Sequence, residues 1–163
     1  MKFLAMILMM IVIMGLACSQ IPGYEGVVMD DVKEIKSEYY SNYPEKGEIT
    51  KRITEKEVFE MEWKMVHQGM KPIPELPGIN FDERELILLM LDSKSSGGYG
   101  IDNLKLQTNE NQLFVHYVES HPGSGCLTTQ AITRPYKFIS IPKSDKEVIF
   151  LKGDTVVNDC NEL

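Results

Sequence analysis

Ser95, Ser96, Gly97, Gly98, Tyr99 and Gly100 follow an apolar run, and a glycine-rich loop so placed can cradle a phosphate on its backbone N–H groups. The rest of a nucleotide site is missing from the sequence. No Gly-Lys followed by Ser or Thr comes next, no G-x-G-x-x-G is completed and no helix is expected to open there. The loop therefore reads as a tight glycine turn between two strands. His116, His121 and Cys126 are spaced five residues apart and carry ligand atoms suited to zinc, yet neither C-x2-C nor H-x3-H spacing is present, so no metal is expected. Ser124 near His121 lacks the G-x-S-x-G elbow of a hydrolase and has no third group to orient a base. No nucleophile, base and orienting group assemble from the sequence, and neither an enzyme nor a cofactor is expected.

Cysteine carries the remaining chemistry. There are three, at positions 18, 126 and 160. Gly15, Leu16, Ala17 and Cys18 resemble a lipobox, at which a lipoprotein signal peptidase cuts before a diacylglyceryl cysteine; Gly15 and Ala17 also meet the small-x-small rule of ordinary signal peptidase. Lipidation of Cys18 leaves Cys126 and Cys160 matched in number for a disulfide in an oxidising compartment, with two free thiols as the alternative. The run from Phe3 to Ala17 is uncharged and follows Lys2, the form of an export signal and shorter than the ~20 apolar residues a helical span needs. The expectation is a signal peptide over 1–17, a lipidated N-terminus and flexible spacer over 18–26, and a single domain over 27–163. That domain would be lipid-anchored on the periplasmic or outer surface of a bacterial membrane. With 17 basic against 24 acidic side chains and a net charge of −7, the chain offers no general surface for nucleic acid.

The elements that would position these residues follow from periodicity. Lys33–Tyr40 and Glu48–Ile53 read as two strands around a turn at Pro44–Gly47. Thr54 and Glu57 form a capping-box signature for a helix over Glu55–Gln68, ended by Gly69. Its apolar arc holds Val58, Phe59, Met61, Trp63, Met65 and Val66, opposite Lys56, Glu60, Lys64 and His67. Glu62 falls inside the arc, so it either reaches solvent at the helix edge or pairs with a basic side chain such as Arg84 or Arg134. Lys71–Gly78 holds three prolines and reads as an extended connector. Leu86–Leu91 (LILLML) predicts a central strand buried on both faces. Further strands are expected near Tyr99–Gln107, Gln112–Glu119, Leu127–Thr133, Tyr136–Ile141 and Glu147–Leu151, with hairpin turns at Asn109–Asn111 and Ser144–Lys146. A β-bulge between Ile101 and Leu104 would restore apolar parity. The fold class is α+β: a mainly antiparallel sheet, sandwich or half-barrel, with one amphipathic helix packed on it.

PELPGINF (Pro74–Phe81) before the apolar strand, SGGYGIDNL (Ser96–Leu104) and HPGSGCLTTQAITRPYKFISIPK (His121–Lys143) together resemble the PrcB family, named for a lipoprotein subunit of a subtilisin-like protease complex. The upstream helix with Phe59 and Trp63 extends the resemblance to Thr54–Phe150. It implies an envelope lipoprotein of accessory type that associates with another exported protein, such as a protease, and it supplies no catalytic residue. Loops on a rigid sheet are common binding sites. The expected partner-binding residues are Gly97, Gly98 and Tyr99 in one loop and Gly123, Gly125, Gln130, Arg134, Pro135 and Tyr136 in the other; strand addition at a sheet edge is an alternative mode. A second reading has Thr133–Tyr136 presented to a protease as an inhibitory segment.

Overall fold

The computed structural model describes residues 26–160; the expected export segment, Cys18 and most of the expected spacer lie outside the described residues. The elements are β1 (Val27–Val28), β2 (Lys33–Glu38), β3 (Ile49–Ile53), α1 (Lys56–Val66), β4 (Arg84–Met90), β5 (Gly100–Thr108), β6 (Gln112–Pro122), β7 (Tyr136–Pro142), β8 (Glu147–Lys152) and β9 (Val156–Asn158). One sheet has the order β2-β7-β4-β3 and the other β1-β5-β6-β8, with β9 also on β6. This is an α+β fold of two sheets with a helix on one outer face.

The apolar run of β4 dictates the layering. Alternate side chains of a strand face opposite ways, so Leu86, Leu88 and Met90 meet Phe59, Trp63 and Val66 of α1, while Ile87, Leu89 and Leu91 meet Leu106, Leu113, Val115 and Tyr117 of the second sheet. Strand β7 behaves likewise, with Phe138 toward the helix and Ile139 and Ile141 toward the sheet. Two strands with no polar face take the two central places. The charged β2 and β3 are left at the edges, each antiparallel to its neighbour. They are not partners of one another, so the expected first hairpin is replaced by a crossover, residues 39–48, at the end of the sheet.

Other expectations are corrected in the same way. Ser144–Lys146 is not a hairpin turn but a passage between sheets, since β8 pairs in parallel with β6. Arg52 fixes that passage by donating to the carbonyls of Ser144 and Lys146 and to the fully buried Glu85 at 2.6 and 2.8 Å. Leu127–Thr133 is not a strand; Thr133 alone makes a bridge, to Lys94. The hairpin at Asn109 is present, its side-chain carbonyl accepting from the N–H groups of Asn111 and Gln112 at 3.0 and 2.8 Å. The bulge is present too, between Asp102 and Lys105, with Asn103 at φ 47°.

The helix starts one residue later than the capping signature suggests. Glu55 is its N-cap and makes no side-chain cap bond, because Ile53 is still a buried strand residue and Phe59, Trp63 and Val66 must face the sheet. Met61 is exposed. His67 is buried, accepting from the Tyr136 hydroxyl at Nε2 (2.8 Å), with Nδ1 2.8 Å from the Trp63 carbonyl. Glu62 is 2% exposed and neither reaches water nor meets an arginine. It accepts from the Tyr43 hydroxyl at 2.6 Å and from Lys51 Nζ at 2.9 Å. The hydrogen bonds offset the cost of burying a carboxylate.

Lys51→Met leaves Glu62 with Tyr43 alone and is expected to lower stability by about 2–3 kcal/mol in urea denaturation, whereas Lys51→Met/Glu62→Met recovers most of the loss. A single-variant loss under ~0.5 kcal/mol would show the pair to be inconsequential.

Burial holds the His67 imidazole below its ordinary 6.5. The unfolded chain then takes up a proton that the folded chain refuses, so this contribution to stability is present above pH 6.5 and is lost as pH falls below it. His67→Gln should flatten the decline of the urea midpoint between about pH 7 and 5; parallel wild-type and variant curves would contradict this.

Candidate functional site

Two loops meet at one end of the sandwich. The glycine turn carries the chain from β4 in one sheet to β5 in the other, and it is fastened to the 123–135 loop by Gly97 N–H to the Thr129 carbonyl (3.0 Å), by reciprocal Lys94 and Thr133 backbone bonds (2.8 and 3.0 Å) and by Thr133 Oγ1 to the Ser96 carbonyl (2.7 Å). The glycines serve this close approach. A Cβ on Gly97 would stand 2.4 Å from Thr129 Oγ1, and one on Gly98, which has φ +88°, 2.8 Å from Pro122. Gly97 is buried and Gly98 exposed. The turn is thus a packing device between loops, and its glycines are needed whether or not a ligand binds.

The C-terminal segment closes the third side. Strand β9 pairs in parallel with Ser120, His121 and Pro122, and Gly123 N–H donates to the Asn158 carbonyl at 2.8 Å. Cys126 and Cys160 form a disulfide, with Cα atoms 5.1 Å apart and a sequence separation of 34. The bridge ties the loop to the tail.

Between these pieces lies a cleft of about 410 Å³ lined by Tyr39, Tyr40, Gly98, Tyr99, Asp102, Ser120, Leu127, Thr128, Thr129 and Asn158, among others. Tyr39 and Tyr40 come from the crossover that replaces the expected hairpin. Tyr39 is fixed where its carbonyl accepts from Arg134 N–H at 2.8 Å, one step beyond the Glu38–Tyr136 pair of the β2–β7 ladder. Leu127 is fully exposed, and Ile132 and Val157 are 77% and 67% exposed.

Beside the cleft, Glu119 is buried within a ring of donors. It accepts from Lys94, from Lys152 at 2.7 Å and from His121 Nε2 at 2.8 Å. Burial pushes its carboxyl up, but the bonds from Lys152, Lys94 and His121 prevail and bring it down to about 2. Lys94 Nζ lies 5.4 Å from the Tyr99 ring centroid, and His121 meets that ring edge-on at 4.9 Å. The cluster holds Tyr99, and with it the glycine turn, in place.

The sequence-derived site residues divide accordingly. Gly97, Gly98 and Tyr99 line the cleft; Gly125 and Gln130 are exposed outside its lining, and Gly123 serves the contact with Asn158. Thr133, Arg134, Pro135 and Tyr136 are buried, and of the four Thr133 also lines the cleft. Arg134, 4% exposed, donates to the carbonyls of Leu91 (3.2 Å), Tyr43 (2.8 Å), Glu45 (2.5 Å) and Gly47 (2.6 Å). Tyr136 binds His67, as above. His116, His121 and Cys126 do not converge: His121 is engaged by Glu119 and Cys126 by Cys160. Among the described residues no group of three His, Cys, Asp or Glu side chains has a metal-binding arrangement. Tyr39, Tyr40, Asp102 and Asn158 were not indicated by the sequence; the exposed Tyr-Tyr doublet ahead of a turn is the one local signal they leave.

Cys126→Ser or reduction should cost about 3–4 kcal/mol in the chain-entropy model. It should also raise amide hydrogen exchange at Val156–Asn158 and Leu127–Thr129 together while β4 stays protected. Exchange confined to the tail would mean the loop holds its place unaided.

Residues 86–142 match the family model described as PrcB C-terminal, and that stretch of the chain is similar to the family. The match runs from Leu86 within β4 to the end of β7 and includes both loops of the cleft; α1 and the proline-rich segment, part of the expected resemblance over Thr54–Phe150, fall outside it. No curated protein and no solved structure matches the chain.

Proposed function

We propose that this PrcB-like chain is an exported accessory protein, held on the cell envelope through a lipidated Cys18, that binds another exported protein, a protease in the family's pattern, and has no catalysis of its own. The observation that carries the reading is the cleft. Two loops already expected to bind, the Tyr39–Tyr40 doublet and the disulfide-tied tail converge on one concave surface that includes the fully exposed Leu127. Exposed aromatic and aliphatic residues gathered at one end of a domain mark an association surface more often than an accident of folding. A rigid frame beneath them lowers the entropic cost of binding. The match of residues 86–142 to the family model supports an accessory role. The lipobox-like residues at 15–18 and the pairing of the other two cysteines support export.

The test is co-purification from native membranes with the full chain and with Tyr39→Ser/Tyr40→Ser/Leu127→Ser, three exposed positions whose change leaves the core intact. The expected result is an exported protein, a protease in the first instance, recovered with the wild type and reduced at least tenfold with the variant, alongside an intact mass showing diacylation at Cys18. Equal recovery would remove the cleft from the interaction, and a mass retaining residues 1–17 would remove the export reading.

A further inference from the structure

Resting on the reading of the cleft as a binding site, we infer that it accepts a cationic side chain, lysine or arginine, of the partner segment it holds. The floor of the cleft is one face of the β5–β6 ladder, where Gly100 and Ser120 are directly paired and Asp102 follows two residues along on the same side. Gly100 leaves that floor open, since a Cβ there would stand 2.9 Å from Ser120 Oγ. Among the described residues Asp102 is the only carboxylate on the lining and no lysine or arginine lines the cleft. Among the described residues it forms no ion pair; its one polar side-chain partner is Asn158 Nδ2 at a long 3.4 Å. Among the described residues every buried carboxylate has a cation: Glu62 has Lys51, Glu85 has Arg52 and Glu119 has Lys94 and Lys152.

The walls suit such a guest. Tyr39 and Tyr40, 57% and 45% exposed, line the same cleft as the carboxylate, and an ammonium or guanidinium gains from both an aromatic ring and a carboxylate. The aliphatic stem of a lysine or arginine would lie along Leu127 while its head reaches Asp102. A volume of about 410 Å³ holds one long side chain and the backbone that carries it. The net charge of −7 favours the approach of a basic segment. An acidic guest would meet Asp102 with no cation on the described lining of the cleft.

The inference is tested with the ¹⁵N-labelled full chain and four capped tripeptides, acetyl-Gly-X-Gly-amide with X arginine, lysine, glutamine or glutamate. The arginine and lysine peptides should shift the amides of Gly98, Asp102 and Asn158, and the glutamine and glutamate peptides should not. Asp102→Asn, which keeps the side-chain volume and breaks no ion pair, should weaken the arginine peptide roughly fivefold without changing the remaining spectrum. Raising NaCl from 0.05 to 0.5 M should weaken it in the wild type, which requires no variant. Equal shifts from the glutamine peptide, or equal affinity of Asp102→Asn, would overturn the inference. If cleft substitutions abolish partner recovery while charge at position 102 is without effect, the cation site falls and the cleft reading stands. If the peptides bind by charge while recovery ignores the cleft, the cation site stands and the partner reading falls.

Discussion

Burying Leu86, Leu88 and Met90 under the helix and Ile87, Leu89 and Leu91 against the second sheet requires β4 to lie inside both a sheet and a three-layer stack. Six such side chains are worth on the order of 10 kcal/mol as an upper estimate, far more than any edge-strand pairing. Strand β7, apolar on both faces, is drawn beside β4 for the same reason. The two strands that carry charges then have only edge places left, and the chain between them must travel across the end of the sheet. The candidate site is a consequence of that journey, because it delivers Tyr39 and Tyr40 to the loops that leave β4 and β6.

A crossover of this kind turns carbonyl groups toward the core, where each needs a donor. Arg134 supplies them. Its guanidinium reaches the carbonyls of Tyr43, Glu45 and Gly47 in the crossover and of Leu91 at the end of β4, so one planar side chain with five donors closes the gap between the edge strands. Burial pushes its own pKa down, while Asp92, Tyr43 and Glu45 favour the charged form. A residue that reads in sequence as an exposed recognition arginine is the clamp of the fold. Its backbone N–H, bonded to the Tyr39 carbonyl, also sets the position of one cleft wall.

What could be read from the sequence follows the range of the forces involved. The double-sided burial of β4, the Asn109 hairpin, the bulge before Leu104 and the pairing of Cys126 with Cys160 rest on short-range pattern or on counting. Glu62 was flagged by its place in an apolar arc, but its partner Lys51 lies eleven residues away on β3 and is fixed only by α1 packing on the sheet. The partnering of β2 and β3 and the parallel course of β8 depend on which strands win the central places, a comparison among distant segments that no local window contains. His67 was assigned to the polar face by helical phase, yet the helix ends at Val66 and the next residue turns back over Trp63 to meet Tyr136. The site divides along the same line: the glycine turn and the long loop were visible as loops, while their joining partners came from the crossover and the tail.

The glycines bear on how such a surface works. In a phosphate cradle they expose backbone N–H groups to a ligand, whereas here Gly97 spends its N–H on Thr129 and Gly98 makes room for Pro122 and Thr128. The turn is therefore pressed against its neighbour and has little freedom to reshape around a guest. Glu119 and its ring of donors hold Tyr99 from beneath, and the disulfide fixes the tail from the side. With the frame set by contacts within the chain, side chains at the rim can vary without disturbing it, and the surface keeps its shape. A rigid concave site of this kind gains affinity by avoiding ordering costs and needs a partner segment that already fits.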